Sequence, residues 1–193
     1  MIVAFEGLSC VGKTSTAVEL TTLLLARQIP CVMIKECELD VTEDGIITKA
    51  KIFENDKKKA DLLLKHEEAV RILDRSSLST ALCSLAIDDL SYTGTQPLRI
   101  PEVDLWVYFR DKPEESFARY QKFRTALSGD PWANFNKVSL LYRSYECFFG
   151  QTEQSLILQS IGEPRLLART VATVIHSRYL KSKAVCQLAA DQR

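Results

Sequence analysis

The segment Gly7-Leu8-Ser9-Cys10-Val11-Gly12-Lys13-Thr14 stands between a short apolar run, Ile2-Val3-Ala4-Phe5-Glu6, and a stretch with helical spacing, residues 13–28. This is the pattern G-x-x-x-x-G-K-[ST], set in the strand–loop–helix context that gives the pattern its meaning. A loop that wraps a polyphosphate must turn its backbone N–H groups inward, and glycines at both ends allow that close approach. The helix starting at Lys13 would aim the positive end of its dipole at the same point. Lys13 would add a charge for the β and γ oxygens, and the Thr14 hydroxyl is a hard oxygen ligand of the kind magnesium takes. The sequence therefore predicts ATP and Mg²⁺ as cofactors, held by Gly7, Leu8, Ser9, Cys10, Val11, Gly12, Lys13, Thr14 and Ser15.

The rest of the chain alternates in the same way. Strands are predicted at 2–6, 31–35, 70–74, 104–109 and 155–159, with helices at 13–28, 76–90, from 112, at 135–149 and from Pro164 to about Lys181. Val18, Leu20, Leu24 and Leu25 are the candidate core contacts of the first helix, and residues 36–69 read as one or two charged surface helices with a turn near Gly45. Runs without polar alternation, such as Ile2–Phe5, are what a parallel strand covered on both faces requires. Five strand–helix alternations specify an α/β three-layer sandwich with a five-stranded parallel sheet. No repeat or linker divides the chain, so one domain is predicted over 1–183, with a tail at 184–193.

At 193 residues and 46% hydrophobic content the chain can bury a full core. Its 25 basic and 25 acidic residues leave no net charge, which argues against a nucleic-acid partner, since backbone affinity needs excess positive charge. Six cysteines without a CxxC pair point to small apolar residues in a reducing compartment rather than zinc or disulfides. No long apolar segment indicates a membrane partner, and the expected localisation is cytoplasmic.

A phosphate loop of this kind works with a carboxylate at the carboxyl end of a neighbouring strand. Asp74, closing the run Val70-Arg71-Ile72-Leu73-Asp74, is in the right place to serve the metal with Thr14. Arg75, next along, offers a planar guanidinium to an acceptor or its phosphate. A helix N-cap is the competing reading of Asp74-Arg75-Ser76-Ser77, and both can hold at once.

With these residues in hand, the chain resembles the thymidylate kinase and deoxynucleoside kinase group of P-loop kinases, and is most similar to thymidylate kinases. The resemblance is carried by Phe5-Glu6-Gly7, by Asp74-Arg75, by Val103–Phe109 and by Lys112–Arg119. It also includes Phe135–Tyr145 and the loop Leu158-Gln159-Ser160-Ile161-Gly162. It implies a P-loop nucleotide-kinase fold with a short lid at about 119–132, and Ser160 and Ile161 lying against adenine. The lid would bring Arg119, Lys122 or Arg124 over the phosphates, with Arg119 and Arg124 favoured. Glu36, with Glu38 and Asp40 nearby, matches the glutamate that nucleoside kinases use as general base on a hydroxyl. Members of the group are often homodimers, and the apolar helices at 78–90 and 135–149 are the candidate faces unless they serve the core.

The implied activity is transfer of the γ-phosphoryl of ATP to a small-molecule acceptor. A nucleoside monophosphate comes first, then a nucleoside, then another small alcohol. The acceptor itself is not spelled out, because Phe53 is the only aromatic in the lysine-rich segment 36–69 and Ser76 stands where a tyrosine would favour thymidylate kinase. Two other classes compete. A GTPase would need an N-K-x-D segment, and Asn136-Lys137-Val138-Ser139 lacks the aspartate. A regulatory P-loop protein would bind nucleotide without transferring its phosphoryl group.

Overall fold

The computed structural model describes residues 1–36, 49–96, 98, 100, 102–123, 130–160 and 162–191, without the side chains of 49, 51 and 182–191. Gly45, Glu38, Asp40, Arg124 and Ile161 lie outside the described residues, as do residues 124–129 of the stretch 119–132 assigned to a lid.

Among the described residues five strands, β1 (Ile2–Gly7), β2 (Cys31–Ile34), β3 (Val70–Asp74), β4 (Leu105–Arg110) and β5 (Ser155–Gln159), form one sheet in the order β2-β3-β1-β4-β5. Every neighbouring pair is parallel. Among the described residues six α-helices connect and cover them: α1 (Lys13–Ala26), α2 (Lys49–Lys65), α3 (Ser77–Ile87), α4 (Pro113–Phe123), α5 (Phe135–Phe149) and α6 (Pro164–Asp191). A short 3-10 turn at Pro131–Ala133 precedes α5. Helices α1 and α6 pack together, as do α3 and α5, and the sheet lies between the two pairs. The predicted three-layer α/β sandwich is what forms.

Burial explains why β1 sits at the centre. Val3, Ala4 and Phe5 are fully enclosed, and so are Ile72 on β3 and Val107 and Phe109 on β4. Strand order reverses at β1: the chain leaves toward β2 and β3 and returns to β4 and β5 on the other side. Such a reversal opens a crevice beyond the carboxyl ends of the strands. The register aims chemistry there, pairing Phe5 with Asp74 and Gly7 with Phe109.

Several boundaries and contacts differ from the sequence reading. Helix α1 ends at Ala26 because Gln28 adopts a left-handed backbone (φ 58) that turns the chain into Ile29, whose N–H reaches Leu24 O. Val18 and Leu25 are not core contacts; they are 47% and 55% exposed. The buried stripe is Lys13, Thr16, Ala17, Leu20 and Leu24, a helical spacing whose first turns are small or polar. Helix α6 continues ten residues past Lys181, through a stretch rich in good helix formers. The apolar faces of α3 and α5 are spent inside the chain itself: Leu78, Leu82, Ala86, Val138, Leu141, Tyr145 and Phe149 all belong to the core. No helix among the described residues is long and apolar enough to cross a membrane.

Candidate functional site

The loop from Gly7 to Thr14 leaves β1 and enters α1 at the crevice. Gly7 has φ +137, and a Cβ there would stand 2.6 Å from Phe109 O, so no other residue fits without displacing β4. Gly12 has φ +87 and open space around it, so its requirement is purely conformational. Leu8 and Val11 are buried in the core, anchoring the loop from below and leaving their backbone to line it. Ser9 O accepts from Ser116 Oγ at 2.7 Å, and Cys10 O accepts from Arg119 Nε at 3.0 Å. Helix α4 thus braces the outer side of the loop. Ser15 is exposed one residue beyond Thr14.

Lys13 is buried, with its ammonium 2.5 Å from Leu8 O and 3.2 Å from Gly7 O. Burial, then the charge of Arg75, pull its pKa down to about 8, against the opposing pull of Asp74, Glu36 and Glu6. Thr14 Oγ1 donates to Asp74 Oδ2 at 2.5 Å, across sixty positions of sequence. Asp74 is only 2% exposed, and its second oxygen, Oδ1, is buried without a hydrogen-bond partner. A hydroxyl and a carboxylate with a spare buried oxygen are the donor set a hard divalent cation takes, so the residues fit Mg²⁺.

Arg75 adopts φ 65, and its N–H bonds back to Phe5 O at 3.0 Å. This turn throws its guanidinium under the P-loop rather than into solvent. Nη1 donates to Gly7 O (3.0 Å), Ser79 Oγ (3.3 Å) and Tyr145 Oη (3.4 Å), while Nε pairs with Glu36 Oε2 at 3.1 Å. Surrounding carboxylates, Glu36 foremost, outweigh burial and raise the Arg75 pKa, keeping the group charged. Partial burial alone would raise the Glu36 pKa. The charges of Arg75, Lys13 and Lys59 overcome it and hold the carboxyl below its ordinary value.

Glu6 is the functional-looking residue that the motif reading passed over. It is fully buried and accepts from Ser76 N (2.8 Å), Ser76 Oγ (2.6 Å), Tyr145 Oη (3.2 Å) and Ser79 Oγ. Desolvation raises its pKa, and the serine hydrogen bonds and the Arg75 charge partly offset that. A charged residue closing an otherwise apolar strand was the available signal. Ser76 also caps α3, accepting from Leu78 N at 3.1 Å, so the N-cap reading of this segment holds for Ser76 while Asp74 faces Thr14.

Beside the Glu36–Arg75 pair lies a cavity of about 50 Å³ lined by residues including Glu36, Asn55, Lys59, Ser79, Cys83 and Trp132. Burial pushes the Cys83 thiol up to about 12, so it is a neutral wall atom. Lys59 and Trp132 had no sequence signal, since only the packing of α2 and of the 3-10 turn brings them here.

The other cations differ in placement. Arg119 pairs with Asp111 and touches the loop, so it joins the site from α4. Lys122 points away; it is exposed, with its ammonium 5.5 Å from the Phe123 ring centroid. Ser160 follows β5, its N–H bound to Arg110 O at 3.1 Å and its hydroxyl buried without a partner. Lys137, in the segment weighed against guanine recognition, instead caps α3 through Ile87 O at 2.7 Å and pairs with Asp89.

No protein-family model and no curated protein sequence matches this chain. Solved structures do. The structure of deoxyadenosine kinase from M. mycoides with the products dCMP and a flexible dCDP bound superposes with a TM-score of 0.62, at 15% identity, over 92% of this chain and all of that one. The same enzyme with bound dATP gives 0.61 at 15% identity, over 91% and 99%. The chain has the fold of those P-loop kinases. Closeness to thymidylate kinases in particular finds no support among these neighbours.

Proposed function

We propose that this chain is an ATP-dependent phosphotransferase of the nucleoside-kinase type, which moves the γ-phosphoryl of ATP to a hydroxyl of a small nucleoside-like acceptor. The observation that carries this reading is the Glu36 carboxylate, ionised and held on Arg75 at 3.1 Å, facing a cavity beside the phosphate loop. A hydroxyl acceptor needs a base to take its proton, whereas a phosphate acceptor is already a nucleophile. The similarity in fold to deoxyadenosine kinases supports the same choice.

In this reading the amides from Gly7 to Thr14 and the Lys13 ammonium bind the β and γ phosphates and fix them in line with the cavity. Ser160 and Ile161 would lie against the ATP base. Thr14 and Asp74 would hold Mg²⁺, which when bound supplies charge for the phosphate oxygens. Glu36 accepts the proton of the acceptor hydroxyl as the new O–P bond forms and the bond to the β-phosphate oxygen breaks. Arg75 keeps Glu36 ionised and faces the charge that spreads over the transferring group. Arg119 adds a third cation from α4.

The second reading is a nucleoside monophosphate acceptor, as in thymidylate kinases. It is supported by Lys59, a cation on the cavity wall that could meet an acceptor phosphate. A screen of nucleosides, nucleoside monophosphates and small alcohols with Mg-ATP, read by phosphorylated product, separates the two. Product from nucleosides alone is the expected result; product from monophosphates alone would replace the first reading with the second. ATP binding with no product from any acceptor would leave a regulatory nucleotide-binding protein.

A further inference from the structure

Lys59 is a lysine on a highly charged helix, yet it is only 7% exposed. A buried ammonium must find partners, because stripping its water is costly. Its Nζ turns off α2 and donates to the carbonyl oxygen of Arg75 at 3.3 Å. Its charge also acts on two carboxyls, Glu36 across the cavity and Asp56 on its own helix, where Asp56 hydrogen-bonds Thr80 of α3.

The carbonyl it holds belongs to an unusual peptide. Arg75 is a non-glycine residue with φ 65, a conformation that side chains with a Cβ disfavour and that persists only where surroundings over-determine it. The N–H of that residue is tied to Phe5 O, and its side chain spans Gly7 O, Ser79, Tyr145 and Glu36. The carbonyl is the remaining free end, and Lys59 takes it.

We propose that Lys59 is a positioning residue: its ammonium pins the left-handed Arg75 peptide and so fixes the guanidinium on Glu36, coupling the seating of α2 beside the acceptor cavity to the geometry of the Arg75–Glu36 pair. Catalytic order at the pair then depends on a helix that packs on α3 and β2. Only the kinetic consequence rests on the phosphotransfer reading above; the protection of the Arg75 Nε–H does not.

The test compares wild type with Lys59→Met, Lys59→Gln and Lys59→Arg, each checked for folding by thermal melt. Glutamine keeps a polar end but falls short of the Arg75 carbonyl, and serves if methionine does not fold. Exchange of the Arg75 Nε–H with water, followed by NMR, is expected to speed up at least about tenfold in the Met or Gln variant and to return toward wild type in Lys59→Arg. With a nucleoside acceptor, kcat is expected to fall about 100-fold, the scale of a catalytic group displaced by an ångström, while KM for ATP stays within about twofold. Unchanged Nε–H exchange in the folded Met or Gln variant overturns the proposal, whatever the activity. So does a rise in acceptor KM at unchanged kcat, which would make Lys59 a direct contact of the acceptor. Wild-type protein that turns over no acceptor would defeat the kinase reading, and the exchange measurement would still decide the role of Lys59.

Discussion

Thr14 Oγ1 and Asp74 Oδ2 lie 2.5 Å apart, joining the first turn of α1 to the last residue of β3. The parallel pairing of β1 with β3 makes the contact inevitable, because Phe5 and Asp74 are register partners and the loop begins two residues later. With Asp74 Oδ1 left unpartnered, Asp74→Asn should weaken the magnesium dependence of turnover and lower kcat by about 10²-fold or more. Nucleotide binding without metal should change little. Titrating activity against Mg²⁺ at saturating ATP checks this, and an unchanged metal dependence would remove Asp74 from the metal site.

Glu36 sits at the rim, its side chain 45% exposed, with its pKa below the ordinary 4.5. A base already ionised throughout the neutral range gives no acid limb there. The pH profile of kcat should therefore be flat from about pH 8 down to about pH 5, as far as Glu36 governs it. Glu36→Gln should cut kcat by about 10²- to 10⁴-fold, with ATP affinity preserved. Nucleoside turnover at the wild-type rate in that variant would exclude Glu36 as the base.

These two residues show what was legible in the sequence. Asp74 could be placed because the loop, the strands and the sheet pairing are local patterns whose consequences add up predictably. The ion pair of Glu36 with Arg75 spans 39 positions, and the bonds of Glu6 to Ser76 span 70; neither leaves a local trace. Hydrophobic spacing also misled where polar residues are inside. Thr16 and Lys13 share the buried stripe of α1, so Val18 and Leu25 looked like core and are not. Segment 36–69 gave a charged helix correctly, but not that Lys59, third in a run of lysines, turns inward.

Lys13 offers a test by proton linkage. Its folded-state pKa of about 8 lies below the 10.5 of an unfolded chain. Between those values the unfolded chain binds more protons, so this group makes the protein more stable as pH rises from about 8 toward 10.5. Below pH 8 the cost of the buried charge is felt in full, about 3 kcal/mol from the size of the shift. A polyphosphate beside the ammonium should restore the proton. At pH 9 the free lysine is about one-tenth protonated, so ATP binding should take up close to one proton. Calorimetry in two buffers of different ionisation enthalpy measures the uptake, and Lys13→Met should abolish it.

Glu6 carries the largest expected effect on stability. Its carboxylate satisfies the Ser76 N–H and hydroxyl, Ser79 and Tyr145, and it faces the buried charge of Arg75. Removing it leaves the Ser76 N–H and hydroxyl without this acceptor, leaves Ser79 and Tyr145 only each other at 2.8 Å, and leaves Arg75 with one carboxylate fewer, at a fully buried site. Breaking a buried charged network in this way costs about 3 kcal/mol or more. For a chain of this size Glu6→Ala should then lower Tm by about 6–12 °C. The loss should be non-additive with Tyr145→Phe, because both changes remove the same hydrogen bond. A thermal-melt double-mutant cycle decides it: full additivity would mean that the Glu6–Tyr145 contact contributes nothing to holding Arg75 beneath the loop.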